Sequence, residues 1–429
     1  MTNFTANQST LKLAKICLNS GTDSRQSSSL PIKRRKWQNR RYLHSSKSDL
    51  NNLFVKMFRK ITFIVISSLI SLSLYNCSSE GDSPVKFNTQ PFAYVTSTDK
   101  SLYAFNGTTG AMLWSFAASD SIFSDPLVYN GTVYIASLDS NVYALNALTG
   151  VIRWQFKTSS PLKTNIAVNN VQRLLHFASY DSLYTLDAFS GVKLWSKSFN
   201  NRNYTCPVTN DSLLFIGGKD NILYAFNAKN GNKIWSREQT IISPSTSLNL
   251  SGNLIYLSSS DHNIYALDTL NGTQKWKFTT GGSVNSTPVV QSGILYIGST
   301  DKNVYAIDAK TGNKKWSFPL GDVTYSSPTI ANGIVYIGCN DMNIYALNAS
   351  TGEKVWTFQA EGPIVSSPTV SDDLLYFGSV DKGLYVLDAK TGKRIWSYFT
   401  LSRILSSPSV IDKNGKVHNF KNSDLSSPL

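Results

Sequence analysis

The chain has little of the chemistry that enzymes concentrate. In 429 residues there are four cysteines and four histidines, and glutamate is confined to Glu80, Glu238, Glu353 and Glu361. Cys17, Cys77, Cys206 and Cys339 show neither a disulfide framework nor a metal-ligand spacing. His176 sits in an apolar run, His262 in a turn and His418 near the C-terminus, so no Ser–His–Asp arrangement can be drawn from them. Positive charge is also scarcer than the net +14 suggests. Residues 1 to 60 hold 13 Lys/Arg against Asp23 and Asp49, which leaves the rest of the chain close to balance. That argues against nucleic acid as a main partner, and makes 1–56 a disordered, Ser-rich basic extension that translation from Met57 would omit.

What is present is a period. Trp114, Trp154, Trp195, Trp235, Trp276, Trp316, Trp356 and Trp396 are spaced 40 or 41 residues apart, the mark of a modular array. Each ends a template such as Asp301-Lys-Asn-Val-Tyr305-Ala-Ile-Asp308-Ala-Lys-Thr311-Gly312-Asn-Lys-Lys-Trp316. Two short apolar runs precede each template; in the seventh unit they are Ser326–Ile330 and Ile334–Gly338, separated by Asn332-Gly333. Asn-Gly between β-favouring runs signals a hairpin, because both residues tolerate φ > 0. With turns at the Asp and at Thr-Gly, each unit reads as four short antiparallel strands, the size of one propeller blade.

Counting strands predicts closure. Eight units supply second, third and fourth strands from Phe92 onward, but the first unit lacks its own first strand. Ser406–Val410, left over after Trp396, completes it, so residues 92–410 are expected to form a closed, all-β, eight-bladed propeller with 411–429 as an unassigned tail. Eight copies make the tryptophans architectural, each packing on the neighbouring blade.

Ahead of the ring, Met57-Phe-Arg59-Lys60 precedes a 14-residue apolar stretch, Ile61 to Leu74. That length suits a signal peptide rather than a membrane span. Leu74-Tyr-Asn-Cys77 resembles a lipobox, which implies a signal at 57–77, a lipidated Cys77 and a linker at 78–91. Asn76 and Tyr75 depart from the small residues usual there.

The units resemble the pyrroloquinoline-quinone-type (PQQ-like) propeller repeat, Ala-x-Asp-x-x-Thr-Gly-x-x-x-Trp, matched by Ala306 to Trp316. The resemblance covers about three quarters of the chain, and two functional branches share it. Quinoprotein dehydrogenases imply PQQ, calcium, an Asp base and often an adjacent cysteine pair. This chain has no such pair, and Glu238 and Glu361 lie three blades apart. The BamB-like family of assembly lipoproteins implies a non-catalytic scaffold without cofactor or metal. Its members are minimal monomeric rings anchored by a lipid in the bacterial envelope, at the outer rather than the inner membrane, and bind protein partners of the β-barrel assembly machinery. That branch fits best; the dehydrogenase and a surface adhesive or signalling lipoprotein are the alternatives. Candidate partner contacts are apolar residues in the loops leading to the first strands: Ile122, Phe123, Ile241, Ile242, Ile364, Val365, Ile404 and Leu405. Such residues either pack between blades or ring the channel mouth.

Overall fold

The structure is a computed structural model that describes residues 90–198, 205–218, 220–238 and 248–419. Its strands form eight antiparallel sheets, the blades of a propeller, with no helix among the described residues. In blade 7 the strands run from hub to periphery as Thr329–Ala331, Ile334–Gly338, Asn343–Asn348 and Lys354–Gln359. The first hairpin turns at Asn332 and Gly333 with φ of 51° and 73°, the mirror-image turn whose twist matches its strands. Second and third strands are largely buried between neighbouring blades, whereas the fourth is mostly exposed, with its Trp held against the next blade.

Blade 1 is built from both ends of the ring. Phe92–Thr96, Ser101–Asn106 and Met112–Ala117 supply three strands, and Ser409–Ile411 pairs with the first of them, placing Tyr94 opposite Ser409 and Phe92 opposite Ile411. This is the expected closure, with the strand at Ser409–Ile411 rather than Ser406–Val410. Val417–His418 then adds to the free edge of Ser409–Ile411, so blade 1 has five strands rather than four. After Ile411 the chain turns as it does after every first strand. Here, however, Phe92–Thr96 already holds the second-strand slot through five paired residues. The returning strand takes the opposite, channel-side edge.

Each tryptophan acts across a seam. The eight indole N–H groups donate to carbonyls of Ala147, Ala188, Ala228, Thr269, Ala309, Ala349, Ala389 and Gly107 at 2.9–3.2 Å, the last joining blade 8 to blade 1. In six seams a second-strand tyrosine donates to the same oxygen: Tyr94, Tyr134, Tyr256, Tyr296, Tyr336 and Tyr376. The indole also lies against the next blade's Thr-Gly turn. A Cβ on Gly352 would come 2.7 Å from Trp316, at a φ of 77°, so glycine is required there twice over.

The repeated Asp does more than form a turn. Asp301 takes the Asn303 N–H on Oδ1 at 3.0 Å, and on Oδ2 the Tyr305 hydroxyl and the Gly281 N–H from the preceding blade's outgoing loop, both at 2.7 Å. In the same arrangement around Asp139, burial and the carboxylate push the Tyr143 phenol up to about 12. Burial would raise Asp139, but hydrogen bonds from Tyr143, Asn141 and Ser119 outweigh it and hold the carboxyl below its usual range.

A second set of links runs around the hub. Among the described residues, six first strands are entered by a residue whose N–H donates to the side chain at the same position one blade on. Thr287 donates to Ser327 (2.8 Å), Ser327 to Ser367 (3.0 Å) and Ser367 to Ser407 (3.1 Å). Ser407 continues to Asp125 (2.6 Å), Asp125 to Asn165 (2.7 Å) and Asn165 to the Cys206 sulfur (3.3 Å). The preceding residue staples first to second strand within a blade: Ser366 Oγ donates to the Gly378 carbonyl at 2.7 Å and accepts its N–H at 2.9 Å. The Ser-Ser-Pro sequences at 326, 366 and 406 are therefore structural joints.

Truncating a seam is expected to cost more than truncating the belt. Trp316→Ala should destabilise by about 3–5 kcal/mol, and Gly352→Ala by more than about 1 kcal/mol through strain at positive φ. Asp125→Ala, which unties the closing link, should cost about 1.5–3 kcal/mol, against about 1 kcal/mol for Ser367→Ala. Urea unfolding midpoints compare the four.

Blade 3 carries a pH-sensitive exception. His176 replaces the seam tyrosine; its Nδ1 is 2.7 Å from Thr185 Oγ1, and its Nε2 has no partner among the described residues. Burial pushes it down to about 3. The unfolded imidazole takes a proton near its ordinary 6.5, so between these values the unfolded state binds more protons. Stability from this group is complete above about pH 6.5 and falls by about 1.4 kcal/mol per pH unit towards pH 3. His176→Phe should flatten that acid dependence, and His176→Tyr should also raise the neutral-pH midpoint by giving the Ala228 carbonyl its second donor. Unfolding curves at neutral and mildly acidic pH measure both effects.

Candidate functional site

The loops that enter the first strands share a face with the Asp turns, as their hydrogen bonds require. Each loop ends in an extended segment whose side chains alternate. Three residues before the belt position the side chain enters the seam: Ile122, Ile364 and Ile404 are at most 1% exposed. A Cβ on Gly338 would meet Ile364 Cγ2 at 2.4 Å. These three cannot touch a partner in the folded ring, which corrects the expectation for them. Ile241, Ile242 and Cys77 lie outside the described residues.

One residue further on, the side chain faces the mouth. Phe123, Val365 and Leu405 are partly exposed there. Tyr325, 45% exposed, holds the same register in blade 7. It escaped the sequence reading, although its place two residues before Ser327 matches that of Phe123 before Asp125. Tyr325, Val365, Leu405 and Phe123 thus form an apolar arc on four consecutive blades. Beyond it the register turns polar: Asn285 in blade 6, and Lys163 in blade 3 with its ammonium 5.7 Å from the Phe123 ring centroid.

Below the mouth, inner strands enclose a cavity of about 340 Å³, lined by residues including Val168, Asn169, Val208, Thr209 and Leu250, with Asn419 from the C-terminal hairpin. Its lining is mixed, with Asn170, Asn210, Asp211 and Asn249 beside the apolar side chains. Among the described residues no three His, Cys, Asp or Glu side chains cluster as metal ligands. Glu238, Glu353 and Glu361 are exposed, on a fourth strand, a third-to-fourth-strand turn and an outgoing loop. Cys206 serves the belt, and the buried Cys339 thiol is pushed up to about 12 by its burial. His418 pairs with Asp412 at 2.9 Å within the hairpin. The eight tryptophans are committed to seams.

Comparison with known proteins agrees with the propeller fold. A family model described as outer membrane protein assembly factor BamB matches residues 67–176, and one described as beta-alanine-activating enzyme, beta-propeller, matches residues 208–424, half of the chain. None of the curated proteins matches. Among solved structures, BamB from Moraxella catarrhalis is 17% identical with a TM-score of 0.60, over 69% of this chain and 95% of that one. A europium-containing methanol dehydrogenase is 14% identical (TM-score 0.58, 71% and 83% covered), and the computationally designed Ika8 protein 15% (0.60, 74% and 98%). One fold thus serves an assembly factor, an oxidoreductase and a design. With its ring of PQQ-like repeats resembling BamB, the chain belongs to the beta-propeller family described for the beta-alanine-activating enzyme.

Proposed function

We propose that this protein is a non-catalytic scaffold of the bacterial cell envelope, a monomeric ring tethered through a lipid on Cys77, whose apolar arc docks a protein partner. The partner class is the outer-membrane β-barrel assembly machinery, by analogy with BamB. One observation carries the reading. The repeated Trp, Tyr, Asp and Ser side chains are consumed by seams and belt, whereas Tyr325, Val365, Leu405 and Phe123 take part in neither and remain accessible. Partly exposed apolar side chains grouped on one rim mark interaction sites.

The lipid anchor is supported by the match to the BamB model, which begins at residue 67 inside the apolar stretch before Cys77. Quinoprotein dehydrogenases among the structural neighbours favour the second reading, an oxidoreductase. The two separate cleanly in experiment. Pull-down with the full chain from detergent-solubilised envelopes should recover barrel-assembly proteins. Leu405→Asp with Tyr325→Ser should lower that recovery about tenfold, equivalent to about 1.4 kcal/mol, with the unfolding midpoint retained. Cys77→Ser should move the protein from the membrane to the soluble fraction. Quinone-dependent dye reduction by the purified protein, with no barrel-assembly component recovered, would establish the enzyme instead.

A further inference from the structure

Opposite the mouth, the first hairpins and the third-to-fourth-strand turns form the foot of the ring. A second apolar surface gathers there on blades 1–3, where Met112, Val151, Ile152, Val171, Phe189 and Val192 are 37–69% exposed. The seams make these residues neighbours. A Cβ on Gly150 would come 2.6 Å from Trp114, and one on Gly191 2.6 Å from Trp154. The Val151 turn of blade 2 is thus held against the blade 1 strand that carries Met112, and the Val192 turn of blade 3 against the blade 2 strand that carries Ile152. Within blade 3 the Arg173 guanidinium lies 5.3 Å from the Phe189 ring centroid, which joins the Val171 hairpin to the Phe189 turn.

Basic residues accompany this surface. Arg153, Arg173 and Lys193 are exposed within it, and Asp187 beside them is taken up by the Phe189 and Ser190 N–H groups. Positions matching Phe189, Val192 and Ile152 hold Lys310, Asn313 and Lys314 in blade 6, and Lys390, Lys393 and Arg394 in blade 8, all exposed. Asp211, Asp372 and Asp373 lie in the first hairpins of blades 4 and 8, and Glu353 in the blade 7 turn. Apolar side chains bordered by Lys and Arg suit a bilayer surface, where alkyl groups enter the headgroup boundary and cations meet lipid phosphates. Lys is by contrast depleted from protein–protein interfaces.

The described chain also begins at the foot. The Pro91 carbonyl accepts the Gly107 N–H at 2.8 Å, and Gln90 Oε1 accepts from Asn106 Nδ2 at 3.0 Å, both beside the blade 1 turn. The lipid proposed on Cys77 stands thirteen residues upstream of Gln90, a span of at most about 45 Å. At that distance even a weak contact is occupied. We infer that the foot of blades 1–3 rests on an acidic phospholipid bilayer, with Met112, Val151, Ile152 and Val192 in the headgroup boundary and Arg153, Arg173 and Lys193 on lipid phosphates. The mouth, on the opposite face, is thereby turned away from the membrane. The tether rests on the anchor reading above, whereas lipid contact is read out residue by residue.

The full chain carrying the photo-crosslinker benzoylphenylalanine in place of Val151, on vesicles of phosphatidylethanolamine and phosphatidylglycerol, provides the test. Irradiation and mass spectrometry should give lipid adducts at position 151 in about tenfold excess over those from the same probe in place of Tyr325 at the mouth. In a chain that keeps its unfolding midpoint, Arg153→Glu with Lys193→Glu should lower the yield about tenfold on these vesicles and leave it unchanged on phosphatidylcholine. Equal yields at the two faces, crosslinks from position 151 to protein instead of lipid, or no adduct would overturn the inference. If the probe at Val151 lowers the midpoint, Val192 takes its place. Lipid adducts at position 151 in a chain whose Cys77 bears no lipid would uphold the foot contact and refute the anchor. Release of the Cys77→Ser chain from the membrane, with no adduct at position 151 in the parent, would do the reverse.

Discussion

The indole that crosses each seam is the interaction on which the ring depends. A four-stranded blade cannot bury both faces alone, so its stability comes from its neighbours. The tryptophan supplies apolar area and a directed N–H at once, and the Ala, Thr or Gly carbonyl it reaches is also the acceptor for the second-strand tyrosine in six seams. Buried polar groups are thereby satisfied where blades meet, which removes the desolvation cost of a sheet-on-sheet contact. The glycine beneath the indole belongs to the same device, since a side chain there would separate the blades.

That commitment shapes where function can reside. With Asp and Tyr holding the turns and Ser, Asp and Asn tying the hub, the repeated polar residues are engaged in architecture. Variation that serves recognition is left to positions that no seam constrains. The mouth register is one such position: it holds Tyr325, Val365, Leu405 and Phe123 on four consecutive blades, flanked by Asn285 and Lys163. An otherwise repetitive toroid acquires a distinct side by this means.

The ring was legible in the sequence because its determinants recur. The tryptophan period, the Asn-Gly hairpins and the surplus strand at Ser406–Val410 led directly to eight blades and their closure. Features that occur once were harder to read. Val417–His418 has too few residues for a strand signal, and its pairing arises only because Phe92–Thr96 occupies the edge it would otherwise take. The hub belt was visible as Ser-Ser-Pro, but its meaning required neighbouring blades to be in place. At the mouth, pairs such as Ile364-Val365 were read together although extended backbone separates them, the isoleucine into the core and the valine to the rim. Alternation alone could have made that distinction.

Blade 1 joins segments more than 300 residues apart, Phe92–Thr96 and Ser409–Ile411, within one sheet. A chain emerging from the ribosome can therefore complete seven blades while the toroid remains a gapped crescent, with Trp396 still lacking the Gly107 carbonyl across the opening. The last clasp is a non-local pairing with a large loop-closure entropy. Assembly of the toroid is thus decided late, and the unsealed crescent, with two sheet faces bare, is the species most in need of chaperone protection.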